Sequence, residues 1–322
     1  MNPFPQNGSQ ISDGLHPGRR LSLFSLMMLS MLAACTPKTL NKEAGYIRNY
    51  YRQHGAPVFQ TIASGNIALR YTATGPIDAP TILFLHGTPG GWSAFARYIN
   101  DEVLQKSAHL VAVDRPGWGG SPVPDDGGFE GLEAQAEALK PLVDELAAHD
   151  PNRRILLVGH SLGASIAARF AMTYPKRIDG LVLLSGSLDP ELGRPRWYNH
   201  VAAVPGLRWV ISKVSHGMSK ANREIMPLHD ELMAMLPLWR KLQIPITVIQ
   251  GGKDTLVYPG NADFVEREIA KPWLTLVRVP DQGHFVVWTH FDMVRGRILD
   301  TLARASRLPE NGMASVSANP RP

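Results

Sequence analysis

Short, continuously apolar, β-branched runs punctuate the chain: "TILFLHG" from Thr81, "LVAVD" from Leu110, "RILLVGH" from Arg154, "GLVLLSG" from Gly180, "PITVIQG" from Pro245 and "LTLVRVPD" from Leu274. Such runs suit strands covered on both faces. Ahead of them, "VFQTIA" from Val58 and "IALRYTA" from Ile67, parted by "SGN", alternate in polarity and predict an opening antiparallel hairpin. Helical patterns separate the early runs at Trp92 to Leu104, Phe129 to Ala148 and Leu162 to Tyr174. Strands alternating with helices predict the α/β class, a mostly parallel sheet with helices on both faces.

One region breaks this alternation. Between Leu188 and Leu242 no strand pattern interrupts "RWYNHVAAVPGLRWVISKV" and "ELMAMLPLWRKL", and apolar residues recur at helical spacing. A helical cap inserted between two strands is expected there, with Trp197, Trp209, Trp239 and the methionines as candidates either to line a pocket or to form the cap's own core. The polar stretch from Thr36 to about Pro57, with Tyr46, Tyr50 and Tyr51, reads as a tether or short helix. The expected organisation is a leader at 1–34, a tether at 35–57, one domain at 58–306 and a disordered Pro-, Asn- and Ser-containing tail at 307–322.

The leader rests on a second pattern. After Arg19 and Arg20, Leu21 to Ala34 carries no charge, yet it is shorter than the roughly 20 apolar residues of a spanning helix. Basic, then apolar, then small residues is the layout of an export signal. Its end, Leu32-Ala33-Ala34-Cys35, resembles the lipobox of bacterial lipoproteins, which implies cleavage before Cys35 and a lipid on that residue. Cys35 is the chain's one cysteine, so no intrachain disulfide can form. The expectation is an exported protein held on a membrane by lipidated Cys35, at the periplasmic face of a bacterial outer membrane. The 44% hydrophobic and 19% charged composition is that of a globular protein. The net charge of +5 comes from dispersed Lys and Arg without interleaved aromatics, which suits an anionic membrane face and argues against nucleic acid.

The chemistry concentrates where "RILLVGH" meets "SLGASIAARF". A nucleophile elbow holds its serine in a strained turn from strand to helix, so the flanking residues must be small; Gly159 and Gly163 around Ser161 meet that need. The plainer alternative is a serine that caps the helix. A nucleophilic serine needs a base, and the base an orienting carboxylate. "DQGHF" sets His284 just beyond the last strand and "QGGKD" sets Asp254 just beyond the preceding one. Parallel strands bring their C-terminal ends to one edge, where the three loops can meet. Asp189 after "VLLSGS" is a rival acid and Asp281 a lesser one, while His200, His216, His229 and His290 read as surface residues.

Negative charge developing on a carbonyl oxygen needs donors. The loop "HGTPGG" after "TILFL" can offer the Thr88 amide, paired with the Leu162 amide at the helix start. Asp114 and Arg115 of "DRPGWGGSP" read as a structural turn bracing that loop. No His-Glu-x-x-His pattern, cysteine pair or Gly-x-Gly-x-x-Gly loop points to a metal or dinucleotide, and no cofactor is expected.

Together "HGTPGG", "DRPGWGGS", "GHSLG", "GGKD" and "DQGH", each after its strand, resemble the α/β-hydrolase superfamily over roughly residues 55 to 306. The resemblance implies an eight-stranded sheet, a cap after the sixth strand, and Ser161, Asp254 and His284 as nucleophile, acid and base. The expected function is a serine hydrolase cleaving an ester or related acyl bond of a small apolar substrate. Carbon-carbon bond hydrolysis, cofactor-free perhydrolysis, an activity like that of proline iminopeptidases, and a membrane-tethered binding protein without turnover are the alternatives. Serine at the elbow disfavours the epoxide hydrolase and haloalkane dehalogenase branches, which use aspartate there. Substrate and oligomeric state are not legible.

Overall fold

The computed structural model describes residues 38–124, 127–148 and 153–307. The expected leader, Cys35 and the tail from 308 lie outside them. The chain divides into two compact units, Met1–Gly45 and Tyr46–Pro322. The first enters the described part only as the opening turns of helix α1 (Lys38–His54), where a tether or short helix is predicted. No helix among the described residues is long and apolar enough to cross a membrane.

The second unit is built on an eight-stranded sheet: β1 (Phe59–Ser64), β2 (Ile67–Thr74), β3 (Thr81–Leu85), β4 (His109–Val113), β5 (Ile155–His160), β6 (Gly180–Leu184), β7 (Ile246–Gly251) and β8 (Leu274–Val279). Their order is β1-β2-β4-β3-β5-β6-β7-β8. The hairpin β1–β2 and the β2–β4 pair are antiparallel, and all other pairs are parallel.

Side chains alternate across a strand, so a sheet buried on both faces divides its apolar residues between two cores. Leu83, Leu85, Val111, Val113, Leu157, Leu181 and Leu183 face one core, with helices α2 (Leu132–Ala148) and α3 (Leu162–Thr173). Their neighbours Ile82, Phe84, Leu110, Ala112, Leu156, Val158, Val182 and Leu184 face the other, with Phe95, Tyr98, Ile99 and the C-terminal helix. The edge strand β8 departs from the expected double cover, being half-buried along most of its length.

The helix expected at Trp92 to Leu104 is three short turns instead. It breaks at Asn100, which has left helical geometry, and restarts behind Asp101, whose carboxylate accepts from the Leu104 amide at 2.9 Å. Helix α2 starts at Leu132, three residues after the expected Phe129.

Between β6 and β7 stand α4 (Trp197–Ala203), α5 (Pro205–Val214), α6 (His216–Ile225), α7 (Leu228–Met235) and a 3-10 stretch, Leu236–Lys241. This is the stretch where no strand pattern was found. Its three tryptophans differ in fate: Trp239 is fully buried against Phe264, whereas Trp197 and Trp209 are exposed to solvent. Helix α8 (Gly260–Glu268) follows β7, and a helical turn, Val286–Thr289, leads from the loop after β8 into α9 (Phe291–Ser306).

Candidate active site

Strand β5 ends at His160 and α3 begins at Leu162, so Ser161 alone makes the turn. Its backbone sits at φ 55°, ψ −124°, a conformation that costs an L residue of order 1–3 kcal/mol and persists only where the surroundings enforce it. They do. A methyl group on Gly159 would stand 2.6 Å from Ala164 Cα, and one on Gly163 would stand 2.6 Å from the His86 carbonyl oxygen. The strand, the helix and the loop after β3 therefore meet at backbone distance. Ser161 makes no side-chain capping bond, which removes the helix-capping alternative. The residue is half-buried.

Asp254 follows β7 and His284 follows β8. Their loops are packed together: a methyl on Gly251 would lie 2.5 Å from the carbonyl oxygens of Gln282 and Gly283, and the Lys253 amide donates to Gln282 O at 2.8 Å. His284 Nδ1 donates to Asp254 Oδ2 at 2.8 Å, both side chains being buried. The other oxygen, Oδ1, accepts from the amides of Leu256 and Val257 at 2.9 Å each. A carboxylate held this way fixes the imidazole tautomer and leaves Nε2 to take a proton. The rival acids are otherwise engaged. Asp189 accepts from the Glu191 amide in its own turn, and Asp281, 85% exposed, pairs with Lys253.

Ser161 reaches the same corner of the sheet. His160, its neighbour, has its ring 4.8 Å from the His284 ring, and its Nε2 donates to the His284 carbonyl oxygen at 3.1 Å. Among the described residues no hydrogen bond joins the Ser161 hydroxyl to His284, a link that commonly forms only around a substrate. The loop carrying Thr88 lies against the elbow, since a methyl on Gly87 would stand 2.9 Å from Ser161 Cβ. The Leu162 amide opens α3, where the helix itself supplies no acceptor.

Asp114 and Arg115 brace this loop as expected, and the structure adds partners that the sequence did not point to. Asp114 accepts from the Trp92 amide at 2.8 Å, from the Gly120 amide at 2.9 Å and from Arg70. Arg115, fully buried, donates through Nε to His86 O at 2.8 Å and through a terminal nitrogen to Gly87 O at 2.9 Å. It also pairs at 3.1 Å with Glu224 of α6, equally buried, and hydrogen-bonds Gln135. Trp118 Nε1 and Gln135 Nε2 donate to the same Glu224 oxygen at 2.8 and 3.2 Å. Glu224 lies on an otherwise polar helix and carried no sequence signal. A cavity of about 300 Å³ bordered by Thr247, Thr275, Arg297 and Arg304 includes none of the site residues. Among the described residues no cluster of His, Cys, Asp and Glu could hold a metal ion.

Two histidines are neutral by construction. Burial, reinforced by Arg115, holds His86 well below the ordinary imidazole range. Burial first, then the neighbouring His284, lowers His160 to about 3. A folded-state pKa below the unfolded 6.5 gives stability that is complete above 6.5 and is lost as pH falls towards 3. Between pH 6 and 4, His160→Asn should therefore show a shallower decline in unfolding free energy than the parent, by about 1.4 kcal/mol per pH unit, in urea titrations. Glu224→Ala leaves Arg115 buried without its counter-charge and should lower unfolding free energy by about 3–5 kcal/mol, measured the same way at pH 7.

Comparison with known proteins identifies the family and the fold. Over 160 residues the chain is 32% identical to a 2-hydroxy-6-oxononadienedioate/2-hydroxy-6-oxononatrienedioate hydrolase of Cupriavidus pinatubonensis, covering 48% of this chain and 53% of that one. The matched part spans from a third to about half the length of the curated relatives. Among solved structures, the epoxide hydrolase VrEH1 of Vigna radiata superposes with a TM-score of 0.60 at 17% identity, over 77% of this chain and 98% of that one. A membrane phospholipase A does so with a TM-score of 0.57 at 21% identity, over 90% of this chain and all of that one. At such identities these likenesses show the α/β-hydrolase fold alone. The Alpha/beta hydrolase family matches residues 82–295, most of the chain and every residue of the site, and the protein belongs to that family.

Proposed function

We propose that the chain is a serine hydrolase that cleaves a carboxylic ester, or a related acyl bond, of a small apolar substrate through an acyl-enzyme. The observation that carries this reading is the strained, uncapped Ser161, whose neighbour His160 packs against the ring of His284 in the assembled His284–Asp254 pair. His284 Nε2 takes the Ser161 proton as Oγ bonds to the substrate carbonyl carbon. The amides of Thr88 and Leu162 hold the resulting oxyanion, each such donor contributing about 2.7–4 kcal/mol. His284 then gives the proton to the departing alkoxide as the acyl–oxygen bond breaks. Water, deprotonated by the same ring, releases the acid and restores Ser161.

A second reading, hydrolysis of a carbon-carbon bond in a dienone acid, is favoured by the identity with the dienedioate hydrolase. The same side chains serve there, with a stabilised carbanion as leaving group. A panel of nitrophenyl esters graded by acyl length, a 2-hydroxy-6-oxodienoic acid and an amino-acid arylamide separates the two. We expect the esters to turn over, and Ser161→Ala to lower kcat by about a thousand-fold or more. Turnover of the dienoic acid alone supports the second reading, and undiminished turnover by Ser161→Ala refutes both.

The reading includes the membrane anchor, which rests on the uncharged Leu21–Ala34 run and the Leu32-Ala33-Ala34-Cys35 ending. Such a protein would work at the periplasmic face of an outer membrane. The mass of the mature N-terminal peptide is expected to be that of an acylated Cys35. An unmodified Cys35 still joined to Ala34 contradicts the anchor.

A further inference from the structure

The insertion between β6 and β7 leaves a large apolar surface uncovered. No residue of α4 or α5 is buried. Trp197 is 76% exposed and Trp209 63%, and Val201, Val204, Leu207, Val210 and Val214 are exposed with them. On α5, Leu207, Val210 and Val214 recur three and four residues apart and so share a face. The surface continues to the catalytic loop. Arg196, at the start of α4, donates to the carbonyl oxygens of Thr255 and Leu256 and lies 4.9 Å from the Tyr258 ring centre. Leu256 and Tyr258, exposed in their turn, lie on the loop that leaves Asp254.

Charge on the same segment is one-signed. From Arg194 to Arg223 the chain carries Arg194, Arg196, Arg208, Lys213, Lys220 and Arg223 and no Asp or Glu, a local charge of +6 in a chain of net +5, so here the cations are clustered and not dispersed as the sequence as a whole suggests. Arg194 and Arg223 pair with Glu191 and Glu130, and Lys220 is buried. Arg196, Arg208 and Lys213 form no ion pair among the described residues, and Lys213 lies 5.8 Å over the Trp209 ring.

Monomeric proteins rarely expose contiguous apolar surface of this kind without a use for it. Tryptophan, valine and leucine interleaved with arginine and lysine on a helix is the composition of an interfacial helix. A second copy docking face to face would bring these cations against their own images. Anionic headgroups would meet them favourably. We propose that α4, α5 and the Leu256–Tyr258 turn dock on the surface of an anionic lipid bilayer, with the catalytic loop at the edge of the contact. The proposal rests on the serine hydrolase reading for the site's role and on the Cys35 anchor only for proximity to a membrane.

The test uses the full chain with vesicles of phosphatidylglycerol and phosphatidylcholine whose acyl chains carry bromine, a contact quencher of tryptophan. The parent should be quenched, and Trp197→Phe/Trp209→Phe should lose most of that quenching. Leu207→Asp/Val210→Asp should lose it too while hydrolysing a short, soluble ester at the parent rate. Equal quenching of the parent and the double tryptophan variant overturns the proposal. So does a concentration-dependent dimer in sedimentation that Leu207→Asp/Val210→Asp abolishes, since a second copy would then be the occupant. The mass of the Cys35 peptide reads the anchor and the ester rate reads the hydrolase, each separately from the quenching.

Discussion

The backbone at Ser161 is the constraint on which the site depends. Strand β5 must become helix α3 within one residue, and the loop after β3 must pass the same point. The chain meets both demands with a non-glycine residue at φ 55° between Gly159 and Gly163, which have no room for a side chain. Gly159 and Gly163 are not interchangeable with alanine, because each already touches backbone where a methyl group would stand. The strain holds one hydroxyl at the sheet's edge without a capping bond to occupy it. The same crowding brings the Thr88 loop and the first amide of α3 together.

What holds that loop comes from further away. Arg115 fastens the carbonyls of His86 and Gly87 from the turn after β4, and its charge is met by Glu224 of the insertion. A buried ion pair of this kind adds little net stability over an apolar substitute, but it fixes geometry because neither charge can be left alone. It ties α6 to the loop that carries Thr88, so the insertion bears on that loop's position. His160, next to Ser161, packs its ring 4.8 Å from that of His284 and 5.6 Å from that of Trp288.

Much of this was legible in the sequence because it is local or periodic. The two-faced strands wrote their burial directly into uninterrupted apolar runs. The elbow wrote its crowding into glycines, and Asp254 was separable from Asp189 by the strand it follows. The rest was not legible for identifiable reasons. Glu224 reads as one more polar residue on a helix, and only the fold brings it to Arg115, more than a hundred positions earlier. The break at Asn100 depends on Asp101 accepting from the Leu104 amide, a cap hidden inside an otherwise helical pattern. Trp239 and Trp209 stand in similar apolar surroundings in the sequence, yet one is core and the other faces solvent. The proposed anchor at Cys35 rests on a sequence pattern alone, because it lies outside the described residues.

The claim at the centre of this account is that residue 161 is a nucleophile made reactive by the ring of residue 284. Reaction of the folded chain with a fluorophosphonate, followed by digestion and mass spectrometry, tests it most directly. The account predicts one phosphonyl adduct, on the peptide containing Ser161, formed far more slowly when His284 is replaced by alanine. An adduct on Ser185 or Ser187 instead, or none on the folded protein, would contradict it.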